Sequence, residues 1–540
     1  MTYKTPGVYI TETDAFGSSI VGVKTGIPAF VGYTETATHS ASGQPIDRPI
    51  LITSLAEYQS CFGGPAQSRF RVAEILSDKP DFTAPITAPD GTLIWTGFDL
   101  MLAACAGGPD RFCLYAQITL FFANGGAACW VMSAGSYAKP GAKITARDLL
   151  TAIDAVGQVV GPSMLVVPEA CQLPSADYAA VVCAMLGQAA SLRDRVAILD
   201  LPGCLDATDI AALTAAQHEL WRALAAQTAN LSYGVAYGPA LATTVFQAPD
   251  VRFAALAGHD DRTLNNILTT QAVQLFTGSA LAAVQSAIAA AFPISEVPTN
   301  TRALSGDGSA YLASAPAGLG ARQQALDALL ARTLPIYVVI GKCVAGYLNV
   351  QPASGVMAGV WAQNDQTNGV WVAPANVSPA GVVEPLCAVS DTEQAAFNVP
   401  TNGMAVDILR SFPMQGTLVW GARTLDGNSD DYRYLQVRRT LIYIEQSIKT
   451  ALEGYAVAAN DGVTWVNVIS SVSAFLTKLW EQGGLVGATP SQAFSVQCGV
   501  GSTMTALDVL NGTMIVTATV ALTHPAEFLD LTFTQAMPTP

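Results

Sequence analysis

The sequence places His259 beside Asp260 and Asp261, residue types that can bind a metal ion or exchange protons. The other three histidines are far away in the sequence, so a ligand set or an acid–base pair is not completed locally. Acidic residues at this point also suit the first turn of a solvated helix, where they interact favourably with the helix dipole. We therefore favour a helix N-terminus over a catalytic or metal site.

Two glycine motifs resemble nucleotide-binding loops, but each lacks a residue that the loop needs. Gly341 and Lys342 match the end of a phosphate-binding loop, yet Ile336 stands where its first glycine belongs. Gly499 and Gly501 have dinucleotide-loop spacing, but Met504 replaces the third glycine, so a turn is the better interpretation. We predict that the protein is not an enzyme and has no catalytic residue, cofactor or metal.

The cysteines favour reduced thiols over a zinc site or a disulfide framework. None of them forms a C-x-x-C pair, and only four histidines accompany them. The ten are Cys61, Cys105, Cys113, Cys129, Cys171, Cys183, Cys204, Cys343, Cys387 and Cys498.

Length and composition indicate several domains with an unusually apolar surface. A chain of 540 residues is too long to fold around a single hydrophobic core, so two to four domains are expected. Only 12% of its residues are charged, about half the usual fraction, which suits a surface covered by other subunits. The net charge of −15 argues against nonspecific nucleic-acid binding, and the sequence predicts no direct membrane insertion. The N-terminus lacks the pattern of a secretory signal, so we expect synthesis in the cytoplasm.

The middle of the chain has the pattern of an α/β layer. Strand and helix patterns alternate from residue 117 to about 205, which predicts a largely parallel sheet. A helix is predicted over 52–64, with Thr53 or Ser54 as its N-cap and Gly63 as its stop. Residues 78–116 lose periodicity and gain proline and glycine, so we interpret them as a loop or a small insertion.

Both chain ends have strand chemistry. The pattern of residues 7–33 predicts short extended segments. Apolar and polar residues alternate over 514–522, as in a half-buried strand. Near the C-terminus, Leu529, Leu531 and Phe533 would share one face of a last strand. The connection "THPAE" is not a tight hairpin turn and contains Pro525, so the last strand is expected to leave its neighbour.

Several segments resemble the sheath proteins of contractile phage tails and related contractile injection systems, most closely the branch that builds extracellular, phage-tail-like particles. The densest matches are "SGVMAGVWAQNDQTNGVWVAPAN", "GTLVWGARTLDGNSDDYRYLQVRRTLIYIEQSIKTAL", "LWEQGGLVGATPSQAFSV" and "HPAEFLDLTFTQ". The N-terminal "TPGVYITE" and "GIPAFVGYTE" fit the family's opening. His524 stands where a basic residue is usual, and residues 78–116 match no part of the family.

The resemblance implies a mixed α/β, multidomain sheath fold. A C-terminal core domain would be completed by strand arms from both chain ends, beside an α/β middle or outer domain. The expected parts are an N-terminal linking arm at 1–26, the middle region at 27–330 with 78–116 as a possible insertion, a core domain facing the inner tube at 331–524, and a C-terminal linking arm at 525–540.

The resemblance also implies a structural subunit that polymerises helically around an inner tube and contracts to drive it through a target envelope. Strands at both ends would add to a sheet in neighbouring subunits, a mode in which backbone hydrogen bonds supply affinity. The candidate strand-arm residues are Val8, Tyr9, Ile10, Thr11, Phe528, Leu529, Leu531 and Phe533. The candidate hinges are Gly17, Gly22, Gly26 and Pro525, and the candidate inner-tube contacts are Lys478 and Glu481.

The partners implied are further copies of the chain in a helical homopolymer, an inner tube protein, and baseplate and terminal cap proteins, without nucleic acid. Assembly is expected in the bacterial cytoplasm, as part of a particle that is released or anchored. Two alternatives stay open: another structural component of such a particle, baseplate or capsid-like, and an α/β hydrolase. For Lys478 and Glu481 the alternative is that both simply solvate their helix.

Overall fold

A computed structural model describes residues 20–38, 44–66, 68–75, 79–102, 110–139, 142–256, 262–291 and 319–527. The strands are β1 (Pro28–Thr34), β2 (Ile50–Ile52), β3 (Phe70–Glu74), β4 (Phe82–Thr87), β5 (Leu93–Leu102), β6 (Cys129–Ser136), β7 (Met164–Val166), β8 (Val196–Asp200), β9 (Gly234–Gly238), β10 (Leu241–Thr243), β11 (Val350–Gln351), β12 (Val382–Pro385), β13 (Asp407–Phe412), β14 (Gly416–Val419), β15 (Phe494–Cys498) and β16 (Val516–Val520). The α-helices are α1 (Leu55–Phe62), α2 (Leu114–Ala123), α3 (Ala146–Val156), α4 (Ser175–Leu192), α5 (Ile210–Leu224), α6 (Arg262–Leu275), α7 (Gly278–Ala291), α8 (Leu319–Thr333), α9 (Pro335–Leu348), α10 (Ser354–Thr367), α11 (Asp391–Asn398), α12 (Leu435–Leu452), α13 (Gly462–Glu481), α14 (Pro490–Ala493) and α15 (Ala506–Leu510).

An eight-stranded sheet forms the centre of the larger part of the chain. Its order is β14-β13-β9-β8-β7-β1-β6-β2, parallel in the middle and antiparallel at both edge pairs. The middle strands are almost entirely buried, as expected for parallel strands covered on both faces. The predicted α/β class and parallel sheet are confirmed.

Local sequence explains where the first helix begins and ends. The Ser54 side chain accepts a hydrogen bond from the Glu57 backbone N–H, and the Glu57 carboxylate accepts from the Thr53 backbone. Gly63 ends the helix with a φ of 88°, a conformation that favours glycine. The predicted caps are therefore confirmed, with Ser54 as the N-cap.

The described part of 78–116 is not simply a loop, because residues 82–87 and 93–102 are strands, which corrects the first of the two interpretations given above. Strands β4 and β5 lie in this segment and pair with β3 in an antiparallel sheet of order β3-β5-β4. The sheet packs through Phe82 and Phe98 against a cluster that includes Ile267 and Ile340 of the following helices. The segment is thus part of a second core.

The chain forms two compact units. The larger contains residues 26–363 and 374–433, and the smaller contains residues 1–25, 364–373 and 434–540. β13 and β14 belong to the central sheet of the larger unit, because β13 pairs in parallel with β9. The smaller unit is built on α12, α13, β15 and β16, around a core that contains Ile444, Val472 and Phe475.

Candidate assembly surface

A two-stranded antiparallel sheet is the first feature of the smaller unit that suits assembly. β15 and β16 pair from Phe494 with Val520 to Cys498 with Val516, and among the described residues neither strand has another strand beside it. One face packs on α13, where Phe494, Val496, Val516 and Val520 contact the core. A two-stranded ribbon is only marginally stable by itself, and its free edges can accept another strand.

The C-terminal segment after β16 is attached to this unit at several points. Ala521 accepts a hydrogen bond from the Val486 backbone N–H at 2.8 Å, and the Thr523 hydroxyl donates to the Gly483 carbonyl at 2.9 Å. The Tyr434 hydroxyl then donates to the Glu527 carboxylate at 3.0 Å. Pro525, a predicted hinge, lies between these attachments and is half-buried. The predicted strand residues Phe528, Leu529, Leu531 and Phe533 lie outside the described residues.

The N-terminal segment is fixed on the same unit, along α12. Ile20 is buried in the core that Ile444 and Val472 share, and the Val23 backbone N–H donates to the Ser447 hydroxyl at 3.0 Å. Gly22 passes so close to Tyr443 that a β-carbon would overlap the phenol oxygen. Gly22 is therefore held against a neighbour in this conformation. Val8, Tyr9, Ile10, Thr11 and Gly17 lie outside the described residues.

Gly26, another predicted hinge, is the first residue of the larger unit. Its φ of 73° lies in the left-handed region, and a β-carbon there would come within 2.9 Å of the Ala362 Cα. The turn therefore requires glycine for both conformation and space.

A buried ion pair organises the smaller unit. The Arg439 guanidinium on α12 donates to both carboxylate oxygens of Asp365, at 2.9 and 2.6 Å. The two side chains are 3% and 2% exposed, so the pair is shielded from water and salt. It joins the short piece 364–373 to the C-terminal helices.

The candidate inner-tube contacts lie at the end of α13. Lys478 and Glu481 are both exposed on its last turn, and Gly483 follows with a φ of 85°. The next residues form a loop in which the Trp480 indole donates to the Gly487 carbonyl at 2.8 Å. This hydrogen bond holds the loop that follows the two charged side chains against the end of α13.

Within the described residues, the two glycine motifs do not have the geometry of nucleotide-binding loops. Gly341 and Lys342 lie inside α9 and are not in a loop. Gly499 and Gly501 form the turn after β15, as predicted. His259, Asp260 and Asp261 lie outside the described residues, and among the residues described no group of three or more His, Cys, Asp or Glu side chains could hold a metal.

Two buried carboxyl groups were not anticipated from the sequence. Glu169 accepts hydrogen bonds from the backbone N–H groups of Tyr33 at 2.8 Å and Cys113 at 3.1 Å. Burial raises the pKa of Glu169 to about 8, while these N–H groups partly oppose the shift. Burial likewise raises the pKa of Asp200, which accepts from the Ser354 N–H at 2.9 Å, to about 7. Both carboxyl groups are buried, and each accepts hydrogen bonds from backbone N–H groups, which holds those backbone segments in place.

Within the described part of the chain, no single helix is long and apolar enough to cross a membrane. One bent pair, Ala325–Thr333 with Pro335–Leu348, meets the length and composition criteria only when taken together.

Comparison with known proteins points to one structural family. The phage tail sheath C-terminal domain family matches residues 428–536, which cover β15, β16 and the C-terminal segment. No curated protein matches the chain.

Solved structures with the same fold include the sheath complex of the extracellular contractile injection system PVC in its contracted state. It is 22% identical, with a TM-score of 0.54 and coverage of 99% of both chains. The helical sheath of the anti-feeding prophage (AFP), also contracted, is 21% identical, with a TM-score of 0.53 and coverage of 99% of this chain and 100% of the other. A chain from the AFP baseplate in its contracted state is 21% identical, with a TM-score of 0.54 and the same coverage. The chain therefore has the fold of contractile sheath proteins, and its residues 428–536 match their C-terminal domain.

Proposed function

We propose that the protein is the structural subunit of a contractile sheath, which polymerises helically around an inner tube and contracts to drive the tube through a target envelope. The observation that carries this proposal is the match over 99% of both chains to a sheath of a contractile injection system. The match of residues 428–536 to the sheath C-terminal domain supports it independently.

Subunits would be linked by exchanged strands. Residues 1–19 precede Ile20 and residues 528–540 follow Glu527, and both attachment points belong to the smaller unit. The same unit contains the β15–β16 ribbon, whose backbone groups at both edges can pair with added strands. Val8–Thr11 and Phe528–Phe533 are the proposed arm strands, paired in a neighbouring subunit.

The mechanism is mechanical and needs no catalytic residue. Subunits in the extended lattice would be kinetically trapped, and contraction would release free energy by burying more surface between them. Gly17, Gly22, Gly26 and Pro525 are the proposed hinges, with rotation at Gly22 coupled to its contact with Tyr443. Lys478 and Glu481 would provide a weak polar contact with the inner tube.

The other partners would be the inner tube, baseplate and terminal cap proteins, after assembly in the bacterial cytoplasm. One alternative is that the protein is a subunit of the baseplate, because a similar chain is found in the AFP baseplate structure.

Electron microscopy of the purified full-length chain, with sedimentation, tests the proposal. Long tubes are expected, and a stable monomer of about the chain mass of 56.1 kDa would contradict it. Discrete rings or plates without tubes would favour the baseplate alternative.

Deleting residues 528–540 tests the strand linkage separately. This truncation keeps the Tyr434–Glu527 hydrogen bond, so the fold should be preserved while tubes are lost. Normal tubes from the truncated chain would contradict the C-terminal linkage but would leave the fold assignment unchanged.

A further inference from the structure

Two cysteines of the larger unit lie side by side at the carboxyl end of the central sheet. Cys171 is in a 3-10 helix, Pro168–Gln172, that follows β7, and Cys204 begins another, Cys204–Asp206, that follows β8. Since β7 and β8 are parallel neighbours, both loops leave the same edge of the sheet. The Gly203 backbone N–H donates to the Cys171 carbonyl at 2.7 Å, which brings the two backbones together.

The two side chains lie in the same buried core cluster. The Cys204 side chain interacts with the Cys171 thiol, and the Cys171 thiol donates to the Pro168 carbonyl at 3.2 Å. The side chains are 1% and 2% exposed, and both are free thiols. Buried cysteines usually pack as small apolar residues, but a disulfide requires two cysteines on closely adjacent backbones, and the hydrogen bond from Gly203 to Cys171 supplies that proximity.

We propose that Cys171 and Cys204 form a redox-controlled staple, a dithiol that a small peroxide converts into a disulfide between the loops after β7 and β8. Hydrogen peroxide would oxidise one thiol to a sulfenic acid with release of water. The second thiol would then displace hydroxide from that sulfur, forming the S–S bond and a second water. Two electrons pass from the two sulfurs to the peroxide.

The environment of the two thiols determines how fast they would react with peroxide. The interaction with the Cys204 side chain, together with burial, raises the pKa of the Cys171 thiol well above its ordinary value, so the reactive thiolate is scarce in the closed fold. The pair should therefore stay reduced through brief exposure and oxidise slowly, as local opening admits the oxidant. Once formed, the bond would close a loop across two strands of the central sheet and restrict the unfolded chain. This inference does not depend on the proposed function.

The test is oxidation of the full-length chain with hydrogen peroxide, followed by thiol counting in denaturant and peptide mapping. We expect the ten thiols to fall to eight, with a peptide pair joined through Cys171 and Cys204. The thermal midpoint should rise by roughly 5 °C and return on treatment with dithiothreitol.

Serine variants separate this pair from the other cysteines. C171S and C204S should each abolish the cross-link and the thermal shift, whereas C387S, at another buried cysteine of the same unit, should retain both. Mapping the wild-type chain needs neither variant to fold. Ten intact thiols after prolonged oxidation, or a cross-link through the nearby Cys113 instead, would overturn the proposal.

Discussion

Arg439 and Asp365 are paired through two hydrogen bonds although 74 residues separate them in the sequence. Both side chains are buried, so each charge relies on the other in place of water. Together they connect residues 364–373 with the C-terminal helices of the smaller unit.

Replacing Asp365 with alanine should lower the free energy of unfolding by about 3–5 kcal/mol, because the Arg439 charge stays buried without this carboxylate. Replacing both residues, as D365L with R439M, should cost less than D365A alone, since neither charge of the pair is then left buried without the other. Urea titrations of the wild type, D365A and the double variant measure both effects. Equal losses for D365A and the double variant would contradict the pairing argument.

Gly22→Ala should destabilise the N-terminal attachment by about 1–3 kcal/mol, because the added methyl group overlaps the Tyr443 hydroxyl. Tyr443→Leu in the same chain should recover part of this loss by making room. Gly454→Ala is a matched control, since nothing lies within 4 Å of a β-carbon there. The measurement is the rate of limited proteolysis near residue 20. Equal rates for G22A and G454A would show that the close contact has no energetic effect.

The free energy of unfolding should fall as the pH rises from about 4.5 towards 8. Burial raises the pKa of Glu169 in the folded chain to about 8, against 4.5 for an exposed glutamate. Its stabilising contribution is therefore complete below pH 4.5 and is lost as the pH rises through 8, at up to ~1.4 kcal/mol per pH unit. Asp200, whose pKa burial raises to about 7, acts in the same direction.

Urea titrations at several pH values between 5 and 8 measure this slope. Glu169→Gln should make it shallower, because the amide does not titrate, and the effect of Asp200 should remain. A slope that E169Q leaves unchanged would show that Glu169 is already ionised in the fold.

Reversing the charges at the end of α13, as K478E with E481K, should leave stability and tube formation unchanged, because both side chains are exposed. Binding to the inner tube should weaken severalfold if these residues form its polar contact. K449E, at an exposed lysine in the last turn of α12, is the matched control. Cosedimentation with the inner tube protein measures the difference. Unchanged binding of the double variant would favour simple solvation of the helix.

Much of the larger unit could be predicted because its signals are local. The caps of α1 and the alternation of strand and helix between residues 117 and 205 depend on neighbours in sequence. Strands β4 and β5 were missed because Pro85 and Gly97 interrupt them and because Leu93, Ile94 and Trp95 are all exposed, which removes the alternation of a half-buried strand. Pro85 is tolerated because β4 is an edge strand.

Other features depend on pairing over long distances, which leaves little trace in one sequence. One example is the parallel pairing of β13 with β9, which brings residues 407–412 beside residues 234–238 in the larger unit. The partners of Gly22 and Arg439 could not be identified from the sequence either. One signal was available: Arg439 shares a face of the amphipathic helix α12 with Leu435 and Ile442, and a buried arginine calls for a carboxylate.

The two edges of the central sheet are poorly suited to pairing with a strand from another chain. At one edge, β14 exchanges backbone hydrogen bonds with Asn376 and Val377 at 2.7 and 3.0 Å, and at the other, β2 has only three residues. Covered or very short edges are poor templates for pairing. In the language of polymer chemistry, the large sheet contributes no valence, and under the proposed linkage the reactive groups of each repeat unit are the β15–β16 ribbon and the chain ends. A repeat unit with few, fixed joining groups would grow into an ordered lattice, because the large sheet offers little opportunity for random cross-links.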